Sequence, residues 1–410
     1  MLVMEMSNKK HQIPAIRFNG FTDAWEQRKA SNIFVSVSEK NNPELPVLSA
    51  SQEKGMILRY TIGIDIKYDK KSLNTYKKVS PGQFVIHLRS FQGGFAYSEI
   101  EGITSPAYTV IDFKNKESYY PTFWRSILTS TTFIKKLETV TYGIRDGRSI
   151  SFKDFSTLKF NVPKYNEQIK IGTFFNNLDD AIALHQRKLE LLKEQKTGFL
   201  QKMFPKNGSN VPEIRFSGFT EDWEQRKLDD VSEKVTEKNK NRKVTETLTN
   251  SAEYGIISQS DFFDKDISNI NNIDGYYVVR PDDFVYNPRI SNYAPVGPIK
   301  RNNLNKIGVM SPLYYVFRIK DIDPSFLEKY FDTAYWHMFM KLNGDSGARA
   351  DRFAIKDSVF KQMPIPYPSI EEQVKLGNFF KQLDDTIALH QQKINDYLQL
   401  KNAMLQQLFV

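Results

Sequence analysis

The chain is 410 residues long, 40% apolar and 13% aromatic, which supplies packed cores for two or three domains. It has no cysteine, which excludes a disulfide framework, a thiolate zinc site and a cysteine nucleophile, in keeping with a reducing, cytoplasmic setting. Its formal charge of +9 favours a polyanionic partner, and no window of about 18 apolar residues offers a membrane span.

Residues 1–12, MLVMEMSNKKHQ, read as a tail without the apolar stretch of a signal peptide. A first domain, 13–163, opens with IPAIRFNGFTDAWEQRK (13–29). Within it TVIDF at 109–113 is a strand-type run, and FWRSILTS at 123–130 reads as a short helix. A long helical segment follows over 164–206. The pattern then repeats. VPEIRFSGFTEDWEQRK (211–227) matches the first opening at 12 of 17 positions. The second domain, 207–366, has its own strand-type run, YYVFRI (314–319), and its own short helix, FLEKYFDT (326–333). The proline run PIPYPS (364–369) should end that domain before a second long helix, 367–410. Residues 167–204 and 372–409 align without a gap, with 19 of 38 identical. A period of about 200 residues is a duplicated domain, not a solenoid repeat.

Both long segments carry heptads. Ile171, Phe175, Leu178, Ile182, His185, Leu189, Leu192, Lys196, Phe199 and Met203 follow alternating spacings of four and three, and Leu376, Phe380, Leu383, Ile387, His390, Ile394, Tyr397, Lys401, Met404 and Leu408 fill the same slots. Two such seams on one chain pack as a coiled coil, each helix about 57 Å long for 38 residues. A twofold relation between the copies makes the pair antiparallel, with the globular parts at opposite ends; a parallel pair is the alternative. His185 and His390 read as register-fixing polar residues, not metal ligands. The pairs Asp179–Asp180 and Asp384–Asp385 are placed to cap or cross-pair with them, and Lys196 and Lys401 to snorkel out of the seam.

The duplication persists weakly through the globular parts. SPGQFVIHLR (80–89) matches RPDDFVYNPR (280–289), GITSPAYTV (102–110) matches GVMSPLYYV (308–316), and 148–163 matches 351–366. Residues 89–101 and 289–307 show no clear correspondence. The fold class is α+β: one mixed α/β fold used twice, with a constant framework and variable loops that suit two unlike binding sites.

Catalytic motifs are missing. The sequence has no G-x-x-x-x-G-K-[ST], G-x-G-x-x-G, H-E-x-x-H or G-x-S-x-G. Asn287-Pro288-Arg289 lacks the second proline and the aromatic of an adenine-methyltransferase motif. No carboxylate spacing repeats between the copies, so no metal site is expected. His87 and His337 read as packing residues.

This organisation resembles the specificity subunit of type I restriction–modification systems over the whole chain apart from the first dozen residues. The opening motif carries the resemblance (Pro14, Ile16, Arg17, Phe18, Gly20, Phe21, Trp25, Glu26, Gln27 and Arg28, then Pro212, Ile214, Arg215, Phe216, Gly218, Phe219, Trp223, Glu224, Gln225 and Arg226). So do the repeated LDDxIALHQxK and the domain exits Pro163 to Phe175 and Pro368 to Phe380. The resemblance implies two target recognition domains, each reading half of a bipartite double-stranded DNA site, and a helical spacer that sets the gap. It implies docking of two methyltransferase subunits, with restriction/translocase subunits joining the complex. No cofactor is expected on this chain; S-adenosylmethionine, ATP and Mg2+ belong to those partners.

Base edges are read by arginine, lysine, asparagine and glutamine. Candidates in the variable loops are Arg89, Ser90, Gln92 and Tyr97 in the first domain, and Asn287, Arg289, Ser291, Asn292, Tyr293 and Arg301 in the second. Arg145 and Arg148 lie in YGIRDGRS, and Arg349 and Arg352 in GDSGARADR. Arg89 and Arg289 stand out because they follow matching strands. The rival reading is a coiled-coil scaffold that does not touch DNA, which would need neither the positive charge nor arginine-bearing loops.

Overall fold

The computed structural model describes residues 2–4, 13–51, 54–62, 70–87, 94–130, 133, 134, 137, 150–206, 208–262, 270–345 and 351–409. The chain divides into two compact units, residues 1–187 with 391–410, and residues 188–390. Each unit therefore combines one α/β module with the near half of one long helix and the far half of the other.

Each module is built on a four-stranded antiparallel sheet. In the first the order is Phe34–Val37, Thr109–Phe113, Phe84–Ile86, Phe95–Tyr97. In the second it is Ser232–Lys234, Tyr315–Ile319, Phe284–Tyr286, Ile299–Arg301. Phe95–Tyr97 and Ile299–Arg301 thus hold the same place, although the sequence stretches around them show no correspondence. Phe84, Val85 and Ile86 are wholly buried, as expected for a strand covered on both faces. One face meets an aromatic core in which the Phe34 ring lies 5.1 Å from Trp124, 5.1 Å from Phe113 and 5.5 Å from Phe155. The other face meets a smaller cluster around Leu48, Val85 and Val110.

The opening segment of each module returns to pair with its exit. Glu26–Lys29 runs antiparallel to Lys159–Val162, and Glu224–Lys227 to Pro364–Tyr367. The proline run therefore forms a strand before the helix instead of merely ending the domain. Prolines at alternate positions 364 and 366 put both missing N–H groups on one edge, and a two-stranded ribbon needs only the other. Leu2–Met4, read as part of a tail, pairs with Ile16–Phe18.

The long helices span Tyr165–Lys202 and Ile370–Leu408. In the first unit Phe175 stacks on Phe409 at 5.8 Å and His185 faces Tyr397 at 5.7 Å. In the second, Phe199 meets Phe379 at 5.2 Å and Phe204 meets Phe380 at 6.2 Å. The first set is antiparallel, and so is the second when Phe199–Phe379 is read with Lys196–Asp384. The heptad seam holds: Ile171, Phe175, Leu178, Ile182, Leu189, Leu376, Phe380, His390, Ile394 and Met404 are buried, and His185, Leu192, Phe199, Leu383, Ile387 and Tyr397 half-buried. The lysines differ from expectation. Lys401 Nζ lies 2.5 Å from Asp179 Oδ1, and Lys196 Nζ 2.5 Å from Asp384 Oδ1. They do not leave the seam, because a carboxylate at that distance in a half-buried setting attracts an ammonium more strongly than it would in water. Asp179 and Asp384, each from one of the aspartate pairs, thus pair with these lysines.

Three residues at the start of each long helix seat the module. Glu167 accepts two hydrogen bonds from buried Arg17, 2.7 Å from Nε and 2.8 Å from Nη2. Glu372 accepts the same pair from Arg215, at 2.7 and 2.8 Å, and a third from Trp223 Nε1 at 3.1 Å. The next residue ties down the loop before the short helix: Gln168 accepts from Tyr120 N at 2.9 Å and Gln373 from Asp323 N at 2.9 Å. Gly172 and Gly377 then let the short helices Pro121–Leu128 and Pro324–Phe331 approach. A Cβ at Gly172 would lie 2.5 Å from Thr122 Oγ1 and 2.7 Å from Phe123 N.

Two glycine substitutions on the same helix should therefore have opposite signs. Gly172→Ala is expected to destabilise by about 1–3 kcal/mol through overpacking, despite better helix propensity. Gly198→Ala, where a Cβ meets nothing within 4 Å, is expected to stabilise by about 0.5–1 kcal/mol. Denaturant unfolding of the two variants checks both signs.

Candidate nucleic-acid interface

The surface that gathers the second module's described candidates is made of residues 287–298 and 351–354. Tyr286, at the end of its buried strand, donates from its hydroxyl to Val296 O at 2.9 Å and clamps the base of the first loop. Asn287 donates to Asn250 O at 2.9 Å and accepts from Arg289 N at 3.0 Å. Gly297 closes the loop with φ +83°, and a Cβ there would lie 2.2 Å from Asn287 O, so only glycine fits. Ser291 and Ala294 form a tight turn with reciprocal 3.1 Å backbone bonds. That turn leaves Tyr293 78% exposed at its tip, beside exposed Ser291 and Asn292.

The second loop is zipped to the first. Ile290 N donates to Asp351 O at 2.9 Å and Phe353 N to Pro288 O at 2.7 Å, which places Arg289 directly opposite Arg352 in an antiparallel bridge. Residues opposed in this way project from the same face, and like charges so placed repel. Among the described residues neither guanidinium has an acidic partner. The sequence named these arginines from two separate stretches, and the fold sets them side by side.

Other candidates have internal work. Arg301 pairs with Asp282, 2.8 Å from Nε, and reaches Ser325 Oγ at 3.1 Å and Glu328 at 3.4 Å. Tyr97, in the equivalent place of the first module, packs on Phe84 at 5.2 Å and lies beneath the Arg125 guanidinium at 5.5 Å. With Asn287 they shape the loops from within. Arg89, Ser90, Gln92, Arg145, Arg148 and Arg349 lie outside the described residues. His87 and His337 pack as expected: burial lowers both imidazole pKa values below the ordinary one, aided for His337 by Lys341, so both are neutral at pH 7 and add no positive charge.

Sequence reasoning missed a groove of about 790 Å³ beside the arginine pair, lined by Lys234, Tyr314, Tyr315, Phe353 and Lys356, with exposed Leu313 and Leu342 at its rim. The Lys234 ammonium sits 5.1 Å from the Tyr315 ring and 2.5 Å from Asp357. The aligned turns SPAY and SPLY held the available signal, since Leu313 replaces Ala107 at a framework turn.

Fold and site together define a duplicated protein that presents unlike loop surfaces on a repeated frame. The chain belongs to the family described as type I restriction modification DNA specificity domain, which matches residues 23–194 and again 220–399. A relative, the type I restriction enzyme MjaVIII specificity subunit of Methanocaldococcus jannaschii, is 24% identical over 306 residues, covering 70% of this chain and 69% of its own. Among solved structures, the type I restriction–modification S subunit from M. genitalium shares the fold, with a TM-score of 0.60 and 12% identity over 97% of this chain and 99% of that one.

The opposed arginines carry a measurable consequence. Arg352→Gln is expected to raise the stability of the free chain by about 0.2–1 kcal/mol by removing a like-charge pair, while weakening DNA binding. Thermal unfolding and a titration with duplex DNA, made on the same preparation, read the two effects.

Proposed function

We propose that this chain gives a type I restriction–modification complex its target. Each module reads one half of an asymmetric two-part site in double-stranded DNA, and the long helices fix the gap between the halves. The opposed pair Arg289 and Arg352 carries the reading. Two arginines opposed across a backbone bridge, neither with an acidic partner among the described residues, match a phosphate or the O6/N7 edge of guanine, which relieves their repulsion. Ser291, Asn292 and Tyr293 at the adjoining turn supply further contacts to base edges or sugars, and the +9 charge supplies the sequence-independent attraction to phosphate.

The complex needs partners, and the helices offer surface for them. Leu184 and Leu389, equivalent positions in the repeated LDDxIALHQ, are 66% and 50% exposed, and Leu191 and Leu398 are 50% and 41% exposed. Apolar side chains exposed on a helix face suit docking of another helical protein. We assign contacts with two methyltransferase subunits to these exposed leucines. S-adenosylmethionine, ATP and Mg2+ are assigned to the methyltransferase and restriction/translocase subunits, and the assembly to the cytoplasm.

Methylation mapping of cells that express the chain with its methyltransferase tests the reading. The parent is expected to direct methylation to one split sequence. Arg289→Ala is expected to weaken recognition of one half-site by about 1–3 kcal/mol and leave the other unchanged. Unaltered methylation at the original site would remove Arg289 from the assignment, and methylation without a split sequence would overturn the function.

A further inference from the structure

A chain of ion pairs runs through the second unit, and among the described residues the first unit joins the corresponding elements through different charges. Lys300, on the strand that leaves the 287–298 loop, lies 3.0 Å from Asp332. Asp332 also meets Lys329 at 3.3 Å, and Lys329 continues to Asp384 of the second long helix at 2.7 Å. Lys196 of the first long helix completes the chain 2.5 Å from Asp384. Lys329 is only 8% exposed. Burial opposes its charge, but Asp332, Glu328 and Asp384 outweigh burial and hold its pKa above the usual lysine value. Burial likewise opposes the Asp332 carboxylate, yet Lys300, Lys329 and Lys196 hold its pKa below the usual range. Lys329 and Asp332 are therefore both charged at neutral pH.

The first unit builds the same frame without this chain. Strand register places Ala96 where Lys300 stands, and alignment of the two short helices places Ser126 at Lys329 and Thr129 at Asp332. The Lys401–Asp179 pair is retained, and the short helix joins it by another route: Arg125 lies 3.9 Å from Asp179 and 2.7 Å from Glu99, two residues beyond the strand Phe95–Tyr97. Buried ion pairs are a poor source of net stability compared with well-packed apolar residues, so stability does not account for the three added charges. What they connect does. Lys300 lies two residues beyond Pro298, where the loop ends. A cavity of about 150 Å³ under the loop, lined in part by Tyr293, Lys300, Asp332, Trp336 and His337, leaves packing incomplete there. The ion pairs join the loop's exit strand to the short helix and to both long helices beside that gap.

We infer that the Lys300–Asp332–Lys329–Asp384 chain positions the base-reading loop of the second module on its helical base, which makes Lys300 a positioning residue that sets specificity for the second half-site. The inference rests on the function proposed above.

The test uses the full chain assembled with its methyltransferase subunits. Lys300→Met removes the link at the loop and leaves Lys329, Asp332 and Asp384 paired. Discrimination between the target and single mismatches in the second half-site is expected to fall about tenfold. Discrimination in the first half-site, affinity for unrelated DNA and the unfolding temperature are expected to stay at parental values, and Lys300→Arg to retain discrimination. The combination Lys300→Ala, Lys329→Ser and Asp332→Thr installs the first unit's residues, which that frame already accommodates, and is expected to give the same selective loss. Parental discrimination in Lys300→Met and in the triple variant would overturn the inference. So would a loss shared by both half-sites together with a lower unfolding temperature, because the chain would then be structural only. Absence of half-site discrimination in the parent would instead sink the function on which the inference rests.

Discussion

A buried arginine–glutamate pair is the contact on which each unit depends. Arg17 and Glu167 are 150 residues apart in sequence, Arg215 and Glu372 157 apart, and both pairs meet through two parallel hydrogen bonds. Removing one partner of such a pair leaves a buried charge without compensation, at a cost of about 3–5 kcal/mol. The geometry also fixes where a module begins and ends. The opening segment supplies the arginine, the long helix supplies the glutamate, and the ribbon beside them pairs the opening strand with the exit strand. Gln168 and Gln373 extend the hold to the short helix, and Gly172 and Gly377 let that helix close on the long one.

The two units show how much variation the frame accepts. At the same sheet position one carries Tyr97 beneath Arg125 and the other Arg301 against Glu328, so the partners change while the contact between strand and short helix persists. The tryptophan of the opening motif donates to Glu372 in the second unit. The buried Lys329 cluster exists in one unit only. For the proposed reading of two different half-sites this is the useful division: common residues hold, unlike residues read.

Much of the fold was legible in the sequence, because periodicity and repetition are local. The heptads gave the seam from Ile171 to Phe199 and from Leu376 to Met404, and the strands at 109–113 and 315–319 followed from β-branched and aromatic runs. What stayed hidden depended on contacts distant in sequence. Nothing local says that Pro364–Tyr367 pairs with Glu224–Lys227, or that Lys196 and Lys401 meet aspartates across the seam. The family signature was visible as a motif, but its work was not: Arg17, Glu167, Gln168 and Gly172 join the opening segment and the short helix to the long helix. The candidate site was half legible. Composition picked out Arg289 and Arg352 separately, and only the fold shows them opposed, while Arg301 looked equally suitable until Asp282 and Glu328 accounted for its charge.

Native-state hydrogen exchange on Glu372→Gln, read alongside half-site discrimination, tests most directly whether each module is held by its own buried pair. The account predicts faster exchange in the second module's strands at 284–286 and 315–319, loss of second half-site reading, and parental behaviour at 84–86, 109–113 and the first half-site. Unchanged protection in the second module, or equal loss in both, would contradict it.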